Sequence, residues 1–451
     1  MTTASLSRHA QSLRQAVSWA LTLLLAGLVI GLAELPYQWL SELGFRLQRL
    51  WPLGGDGAFK PLLVAGPLLA TVAFVLLAWR PLAAGRGGGL TGVLVLQDAD
   101  TDAERDRAIA NLSLRHQLAR LPLLALTHLA GLSVGTESPS AALGASILLA
   151  LRRRLAPLQR LPLALTVAIG GGAGLGAAFQ SPLLGAAYAL EELSAVSGFQ
   201  LLVPTLLLAG IGTLLNSELG QPARLAEGMA LPLAPVLLPL ALLISVAAAL
   251  IGVLLVRLLV PFAQRLGSLL RSHLVPAALA IGLLFALLAV ASGGISLNDG
   301  SLALGPALAG RADMPWWAGA PRLLGPLLSI AIGAPGGLMH DSMSLGAVLV
   351  GPWLQQWPAD QQAALVAIAA AALFSGACRT PLFCSVFVFT LQGNPATLPW
   401  LLTGSAIAAA IGRWLGGISW NEAQTRAFRG SGAPPPSHDH GTKGGAGAGD
   451  P

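Results

Sequence analysis

Charged side chains are scarce in this chain of 451 residues. Asp, Glu, Lys and Arg together make up 10% of it, whereas hydrophobic residues make up 54% and the mean hydropathy is +0.70. A soluble domain carries about a quarter charged residues. The shortage of charge argues against an ordinary soluble protein and predicts a chain that spans a membrane several times.

The apolar runs also lack the alternation of polar and apolar residues that the strands of a transmembrane barrel would show. They are long and rich in Leu and Ala. Inside lipid every backbone N–H and C=O must be satisfied within the protein, so that only helices or a closed barrel span a membrane. We therefore expect an all-α polytopic membrane protein.

Cysteine is nearly absent as well, and its two copies, Cys378 and Cys384, lie in one apolar stretch. This argues against a disulfide framework and predicts buried free thiols. The net charge is +6, but basic clusters such as Arg152, Arg153 and Arg154 follow apolar runs, as is typical of loops on the cytoplasmic side. Because no aromatic stacking set or known motif accompanies them, nucleic acid is not an expected partner.

The chain divides into three expected parts: a polar, basic cytoplasmic leader at 1–13, a membrane domain at 14–429 and a disordered, Gly/Pro-rich tail at 430–451. No small-residue cleavage pattern ends the first apolar stretch, so it is expected to remain as a helix. We expect no soluble regulatory domain and no cofactor. A weak metal site at His438 and His440 is the alternative to a bare flexible tail, which we favour.

Many apolar segments are too short for a simple membrane span of about 20 residues. Glycine and proline number 54 and 31, and they cluster at the ends of these segments. Short, broken helices are tolerated in a membrane where they are buried in protein or line a cavity, which indicates a transport protein. The segments are predicted at 14–35, 60–79, 118–134, 138–151, 161–178, 183–195, 200–215, 232–260, 275–291, 322–333, 342–354, 362–375, 381–392 and 397–415.

Two joints of the chain resemble each other. A Gly-rich turn at 135–139 is followed 47 residues after Gly135 by Pro182, and the turn at 333–337 is followed 48 residues after Gly333 by Pro381. Broken helices at matching positions of a repeat are the best sequence indicator of a binding site at the repeat interface. We expect a first repeat at about 14–216 and a second at about 232–429, with chance similarity of Gly/Ala-rich helices as the alternative.

Three Gly-rich turns open helices, at Gly87–Gly89, Gly135–Pro139 and Gly333–Met339. Each leaves backbone N–H groups free at the positive end of a helix dipole, where an anion binds without a full opposing charge. Weak sites in series are what rapid passage of ions requires. The turns predict a path for anions.

Glu137 lies in the second of these turns, and a carboxylate in a membrane interior is expected to be functional. When ionised it can occupy the anion site itself, and when protonated it can leave, which describes a gate and a proton carrier. The alternative is a glutamate that only complements the helix dipole. Glu191 and Glu192 end a later helix, either as a solvated helix end or as an inner proton relay with one carboxyl group buried.

His340 and Asp341 follow the third turn. Asp341 is expected to be a helix N-cap. A Ser/His/Asp hydrolytic site built with Ser342 or Ser344 is disfavoured, because adjacent residues rarely reach that geometry and no nucleophile elbow is present. An enzyme is therefore not expected.

These motifs resemble the CLC family of chloride channels and chloride/proton antiporters, in its prokaryotic form without cytoplasmic regulatory domains. The turn at 135–139 is similar to the family's Gly-Arg-Glu-Gly-Pro, the stretch at 171–192 to its next helix pair, and the turn at 333–337 to the approach to its Gly-x-Phe-x-Pro. Arg379-Thr380-Pro381-Leu382 is similar to its Arg-Ala-Pro-Leu. The likeness runs from about residue 20 to 425 in the family's order.

The resemblance implies an inverted repeat of broken, tilted helices, a homodimer with one pore in each subunit, and a bacterial plasma (inner) membrane. Its partners would be chloride or another small anion, protons and membrane lipid. Glu137 would be the external gating glutamate and Glu192 the internal proton glutamate of antiporters. The implied anion-binding residues are Gly88, Glu137, Ser138, Leu338, Met339 and Asn421.

The chain departs from the family at several of these positions. Gly88 replaces a serine whose hydroxyl helps to hold the central anion, and Met339 and Asp341 replace the Phe and Pro of Gly-x-Phe-x-Pro. The inner pore tyrosine corresponds to Asn421, or to Trp420 after a one-residue shift. We expect anion transport coupled to proton antiport. Passive, channel-like conduction and a membrane sensor or scaffold without transport are the alternatives.

Overall fold

The protein was analysed as a computed structural model, which describes residues 3–53, 61–193, 198–221 and 233–430. Within these ranges the regular elements are helices. One isolated antiparallel β-bridge in them pairs Gly135 with Gly337. The first part of the chain forms α1 (Thr3–Gln48), α2 (Pro61–Ala65), α3 (Thr71–Ala78), α4 (Thr91–Val95), α5 (Asp102–Asn111), α6 (Leu114–Ala130), α7 (Glu137–Arg152), α8 (Ala156–Gln159), α9 (Leu163–Ala178), α10 (Pro182–Tyr188) and α11 (Phe199–Leu219).

The second part forms α12 (Leu238–Ser272), α13 (Leu274–Ala291), α14 (Ser301–Leu308), α15 (Gly319–Ala331), α16 (Met339–Val350), α17 (Ala359–Cys378), α18 (Pro381–Gln392), α19 (Leu398–Trp414) and α20 (Trp420–Gly430). Two π-helical turns interrupt the first part. One, at Gly66–Ala70, joins α2 to α3, and the other, at Ala189–Leu193, continues α10.

Six helical segments in the described ranges are long and apolar enough to cross a membrane. They lie at Gln11–Gln48, Phe199–Leu219, Pro235–Ser272, Leu274–Ala291, Ala359–Cys378 and Pro395–Trp414. The segment at Ala359–Cys378 is almost entirely buried inside the protein, whereas less than half of the most apolar stretch is buried in each of the other five. α17 is thus the central element, and the exposed Leu and Val side chains around it form the surface suited to lipid.

Each predicted membrane segment corresponds to a helix, and the segment at 381–392 coincides with α18. Two helices are much longer than predicted. α1 begins at Thr3, inside the expected leader, and ends at Gln48, while α12 continues to Ser272. The helices α4, α5, α8, α14 and α20 were not among the predicted segments. Gly430, the first residue of the predicted tail, ends α20, and the rest of that tail with its two histidines lies outside the described residues.

The two halves repeat the same packing pattern. In the first, α9 packs against α7, α10 and α11, and in the second α17 packs against α16, α18 and α19. Small residues allow these contacts, because a Cβ atom added at Gly144 of α7 would stand 2.8 Å from the backbone of Gly174 in α9. The halves meet where α10 packs on α18, and each begins its broken helix at a Gly-rich turn.

Candidate functional site

The three Gly-rich turns predicted from the sequence come together at one place. Gly135 and Gly337 exchange two backbone hydrogen bonds, with N···O distances of 3.3 and 2.9 Å. The N–H of Gly87 donates to the carbonyl oxygen of Gly333 at 2.9 Å. The N-termini of α7 and α16 therefore face a common point, and the turn before α4 lies beside them.

At this point Gly88 packs directly against Ser138. A Cβ atom added to Gly88 would lie 2.5 Å from the Cβ of Ser138 and 3.0 Å from the carbonyl oxygen of Gly336. The side chain of Ser138 thus fills the space that a serine at position 88 would need. Gly88 itself provides no hydroxyl to the site. The hydroxyl of Ser138, in the first turn of α7, lies beside Gly88 instead.

Glu137 is the first residue of α7 and its side chain is completely buried. Its Oε1 accepts a hydrogen bond from the backbone N–H of His340 at 3.3 Å and also contacts Nδ1 of the His340 ring. The first N–H groups of a helix have no acceptor within the helix. The carboxylate of Glu137 therefore occupies the N-terminus of α16, where a bound anion would be placed.

Leu338 and Met339 also lie at this N-terminus, and their role in anion binding stays a prediction. The predicted capping role of Asp341 is wrong, since α16 begins at Met339 and its N-cap residue is Leu338, which makes no side-chain capping bond. Asp341 instead forms a fully buried ion pair with Arg322 of α15, in which Nη2 and Oδ1 are 2.5 Å apart. The Ser133 hydroxyl lies 2.7 Å from the same oxygen. Because the helix starts three residues earlier than expected, Asp341 lies inside its first turn and not at the cap position.

The hydrolytic arrangement that was disfavoured from the sequence has no counterpart in the structure. His340 contacts Glu137, and Asp341 contacts Arg322. The hydroxyl of Ser342 donates to the Leu338 carbonyl at 2.5 Å, and that of Ser344 donates to the Gly300 carbonyl at 3.3 Å. Each side chain has a different partner, so no nucleophile–base pair forms.

Glu191 and Glu192 have separate surroundings although they are adjacent. Glu191 accepts the backbone N–H groups of Leu382 and Phe383, at 3.2 and 2.7 Å, and so caps the N-terminus of α18. Glu192 contacts the side-chain amide of Asn421. The π-helical turn that carries both residues changes their angular spacing, and such turns are frequent at functional sites.

Glu192 and Asn421 line a cavity of about 480 Å³ at the end of the molecule opposite to the Glu137 carboxylate. Four arginine side chains contribute to its lining, and by the positive-inside rule this is the end that we expect to face the cytoplasm. We call it the inner end and the Glu137 end the outer end. The arginines of the cavity are Arg379, Arg413, Arg426 and Arg429.

Tyr188 was not identified from the sequence, although it is one of only two tyrosines in the chain. It ends α10, its ring is fully buried against Phe383, and its hydroxyl has no hydrogen-bond partner in the described part of the chain. The side chain lies within electrostatic range of both Glu137 and Glu192. A buried hydroxyl without a hydrogen-bond partner in the described part of the chain is a candidate site residue, and its position one turn before Glu192 was the available sequence signal.

The comparisons with known proteins agree with this geometry. The family model described as voltage gated chloride channel matches residues 70–413. Two curated relatives, each described as voltage-gated ClC-type chloride channel ClcB, are 34% identical over 104 residues; one is from Yersinia pseudotuberculosis serotype O:1b (strain IP 31758) and one from Yersinia pestis. The match covers 22% of this chain and 25% of each relative, so it spans about a quarter of their length.

Three solved structures share the fold over most of the chain. A CLC-type fluoride/proton antiporter has a TM-score of 0.69 and 21% identity, with 90% of this chain and 96% of that chain covered. A slow cyanobacterial Cl⁻/H⁺ antiporter has a TM-score of 0.68 and 18% identity, covering 91% and 97%. A eukaryotic CLC transporter has a TM-score of 0.70 and 19% identity, covering 92% and 75%.

The structural matches confirm the predicted fold class of broken helices in a polytopic membrane protein. The family model extends over most of the chain and includes the turns around Gly88, Glu137 and Met339. The chain therefore belongs to the voltage-gated chloride channel family, CLC, as its motifs predicted.

Proposed function

We propose that this protein moves chloride or a similar small anion across a membrane in exchange for protons. The observation that carries the proposal is the position of the Glu137 carboxylate at the N-terminus of α16. A carboxylate and an anion compete for the same N–H groups and the same helix dipole. Protonation of Glu137 weakens its hold on this site, so that proton uptake and anion entry are linked.

The inner end supplies a second carboxylate for the proton. Glu192 lines the inner cavity, and Tyr188 lies within electrostatic range of both carboxylates. Glu191, in contrast, is used as the cap of α18. Because Glu191 caps α18 and Glu192 faces the cavity, these contacts support Glu192 as the inner proton acceptor.

Passive conduction of anions is the second candidate, and two observations favour it. The residue at position 88 is a glycine, and the amide of Asn421 is engaged by Glu192 instead of facing the convergence of the turns. Both features reduce the number of side-chain donors for a central anion. Weak central binding suits rapid passage more than strict exchange.

Simultaneous recording of chloride and proton flux in liposomes distinguishes these functions. We expect a chloride gradient to drive protons uphill in the opposite direction. Glu137→Gln should lower proton flux by roughly 100-fold or more, the size of effect seen when a positioned proton-transfer group is removed. Glu218→Gln, which neutralises an exposed carboxylate near the end of α11, is the matched control and should leave both fluxes unchanged.

The adjacent glutamates at the inner end provide a second arm of the same experiment. Glu192→Gln should remove proton flux and retain chloride flux, whereas Glu191→Gln keeps a carbonyl acceptor for α18 and should retain both. Chloride flux that never moves protons in the unmodified protein would establish passive conduction. Absence of flux for chloride, nitrate, bromide and fluoride would instead favour a sensor or scaffold.

We also propose that the protein is a homodimer in a bacterial plasma membrane. The bacterial sources of the curated relatives and the exposed apolar faces of α11 and α12 support this assignment. Light scattering of the detergent-solubilised protein, corrected for bound detergent, measures the protein mass directly. A mass of one chain would reject the dimer.

A further inference from the structure

His340 is the residue of the outer end to which the sequence assigned no role. It is the second residue of α16 and its side chain is 4% exposed. Its backbone N–H and its ring Nδ1 both contact Oε1 of Glu137. A single residue thus holds one carboxylate oxygen of the proposed gate by two contacts, one of which depends on a titratable group.

The ring of His340 is fixed by two aromatic neighbours. Phe179 stacks on it with ring centroids 5.5 Å apart and an interplanar angle of 22°. Phe387 packs edge-on at 5.2 Å and 84°. Because these contacts hold the ring plane, Nδ1 stays directed at Glu137.

Protons can reach the ring from the outer side through water. His340 lines a cavity of about 80 Å³ and a second cavity of about 360 Å³. The smaller one has room for a few water molecules and is lined by polar groups that can hold them. These include Glu34, Thr136 and Ser140.

The charged groups around the ring are mainly acidic. Arg49 pairs with Glu42 at 3.3 Å, and Arg322 pairs with Asp341, so both cations are engaged by carboxylates. The acidic group in direct contact with the ring is Glu137, through its Oε1. The titratable groups that face His340 or its cavities are Glu34, Tyr37 and Glu42 of α1, Arg49 just after α1, Glu137 of α7, Asp299 before α14, and the Asp341–Arg322 pair.

We propose that His340 is a protonatable latch on Glu137. The first proton taken from the outer side goes to the imidazole, which then binds the ionised carboxylate by a charge-assisted hydrogen bond. The second proton goes to Glu137 itself and releases it from the N-terminus of α16. Opening of the outer end therefore takes up two protons, and the positive imidazolium remains beside the site that the anion enters.

The proposal rests on the role of Glu137 as the gate, which belongs to the proposed function, but it does not require proton exchange. It predicts that anion flux rises as the outer pH falls, with a midpoint set by the protonation of Glu137. In His340→Asn the charge beside Glu137 is lost, and the midpoint should move to higher pH by about 1–3 units, the usual effect of an opposite charge on a nearby carboxylate.

Two further variants separate charge from packing. His340→Phe retains the ring contacts with Phe179 and Phe387 and should shift the profile in the same direction as His340→Asn. His116→Asn is the matched control, because His116 lies at the start of α6, outside both outer cavities. Profiles like that of the unmodified protein in both His340 variants would overturn the proposal.

A measurement that does not depend on transport tests the latch separately from the proposed function. The imidazole resonances of ¹⁵N-histidine-labelled protein report the titration of His340, which is assigned by its loss in His340→Asn. In Glu137→Gln the His340 resonance should titrate at lower pH than in the unmodified protein. A displaced titration without any anion flux would reject the proposed function and retain the latch, whereas an unchanged titration in a transporting protein would reject the latch alone.

Discussion

The outer and inner ends of the proposed pathway hold their carboxylates in different ways. At the outer end Glu137 and Asp341 are fully buried, and each contacts a basic side chain, His340 or Arg322. At the inner end Glu192 faces an open cavity of about 480 Å³ that several arginines surround. A charge in an enclosed, low-dielectric region depends on one specific partner, whereas a charge beside water does not.

This difference indicates where function and stability depend on the same residues. At the outer end a single substitution leaves a buried charge without compensation, so mutations there affect folding as well as transport. At the inner end solvent replaces a lost partner, and mutations should alter transport with little effect on folding. The predictions below test that contrast, starting with the largest expected effect on stability.

Removal of Arg322 should have the largest effect. Arg322→Met leaves Asp341 buried without a cation, and breaking a buried ion pair on one side costs about 3–5 kcal/mol. Arg322 Nη1 also donates to the carbonyl of Asn298 at 2.9 Å, a bond that the variant loses. Equilibrium unfolding in mixed micelles measures the change. The double variant Arg322→Met/Asp341→Leu should recover most of it, and a single variant as stable as the unmodified protein would contradict the contrast.

The Arg322–Asp341 pair also shows what the sequence could not predict. An aspartate after a Gly-rich turn is a common helix N-cap, so the local sequence favoured that role for Asp341. Its actual partner, Arg322, lies on another helix, α15. The contact of Glu137 with His340 joins residues 203 positions apart. Such pairings depend on the tertiary arrangement, which propensity and spacing do not contain.

The convergence of the three Gly-rich turns, in contrast, was predictable from the sequence. Gly-rich joints that lie 47 and 48 residues before a proline turn indicate equivalent broken helices, and equivalent helices of a repeat meet at its interface. The lengths of α1 and α12 were not predictable, because each apolar stretch ends at polar residues while the helix continues through them. The sequence pattern thus predicted the position of the site more accurately than it predicted the ends of the surrounding helices.

The Gly88 and Ser138 pair at the convergence should show a smaller effect with strong coupling. Gly88→Ser alone places a Cβ 2.5 Å from that of Ser138, and such overpacking costs about 1–3 kcal/mol. Ser138→Gly creates the space that the new side chain needs. The double variant should therefore be more stable than Gly88→Ser in the same unfolding assay.

Additive effects of these two substitutions would show that the side chains do not exclude each other. The double variant also moves the hydroxyl from the first turn of α7 to the turn before α4. If the hydroxyl contributes to anion binding from either turn, the double variant should transport chloride at a rate close to that of the unmodified protein. Loss of transport in a stable double variant would instead assign a specific role to the hydroxyl of Ser138.

The smallest effect is expected at the inner surface, where Arg429 of α20 contacts Glu104 of α5 at 2.5 Å and Asp98 at 2.8 Å. The Arg429 side chain is 35% exposed, so solvent screens its charge. Its hydrogen bond to Glu104 holds the pKa of that carboxyl below its usual value of 4.5. A lowered pKa in the folded state contributes stability above pH 4.5, and this contribution is lost as the pH falls through the folded value.

Arg429→Gln should therefore lower the melting temperature slightly at pH 7, and by less at an acidic pH at which Glu104 is protonated in the folded protein. The expected decrease is well below that of Arg322→Met, because water can solvate Glu104 and Asp98 after the arginine is lost. Melting curves of both variants at the two pH values make the comparison direct. An effect of Arg429→Gln as large as that of Arg322→Met would show that the inner surface is as intolerant of an unpaired charge as the outer end, and the distinction between the two ends would fail.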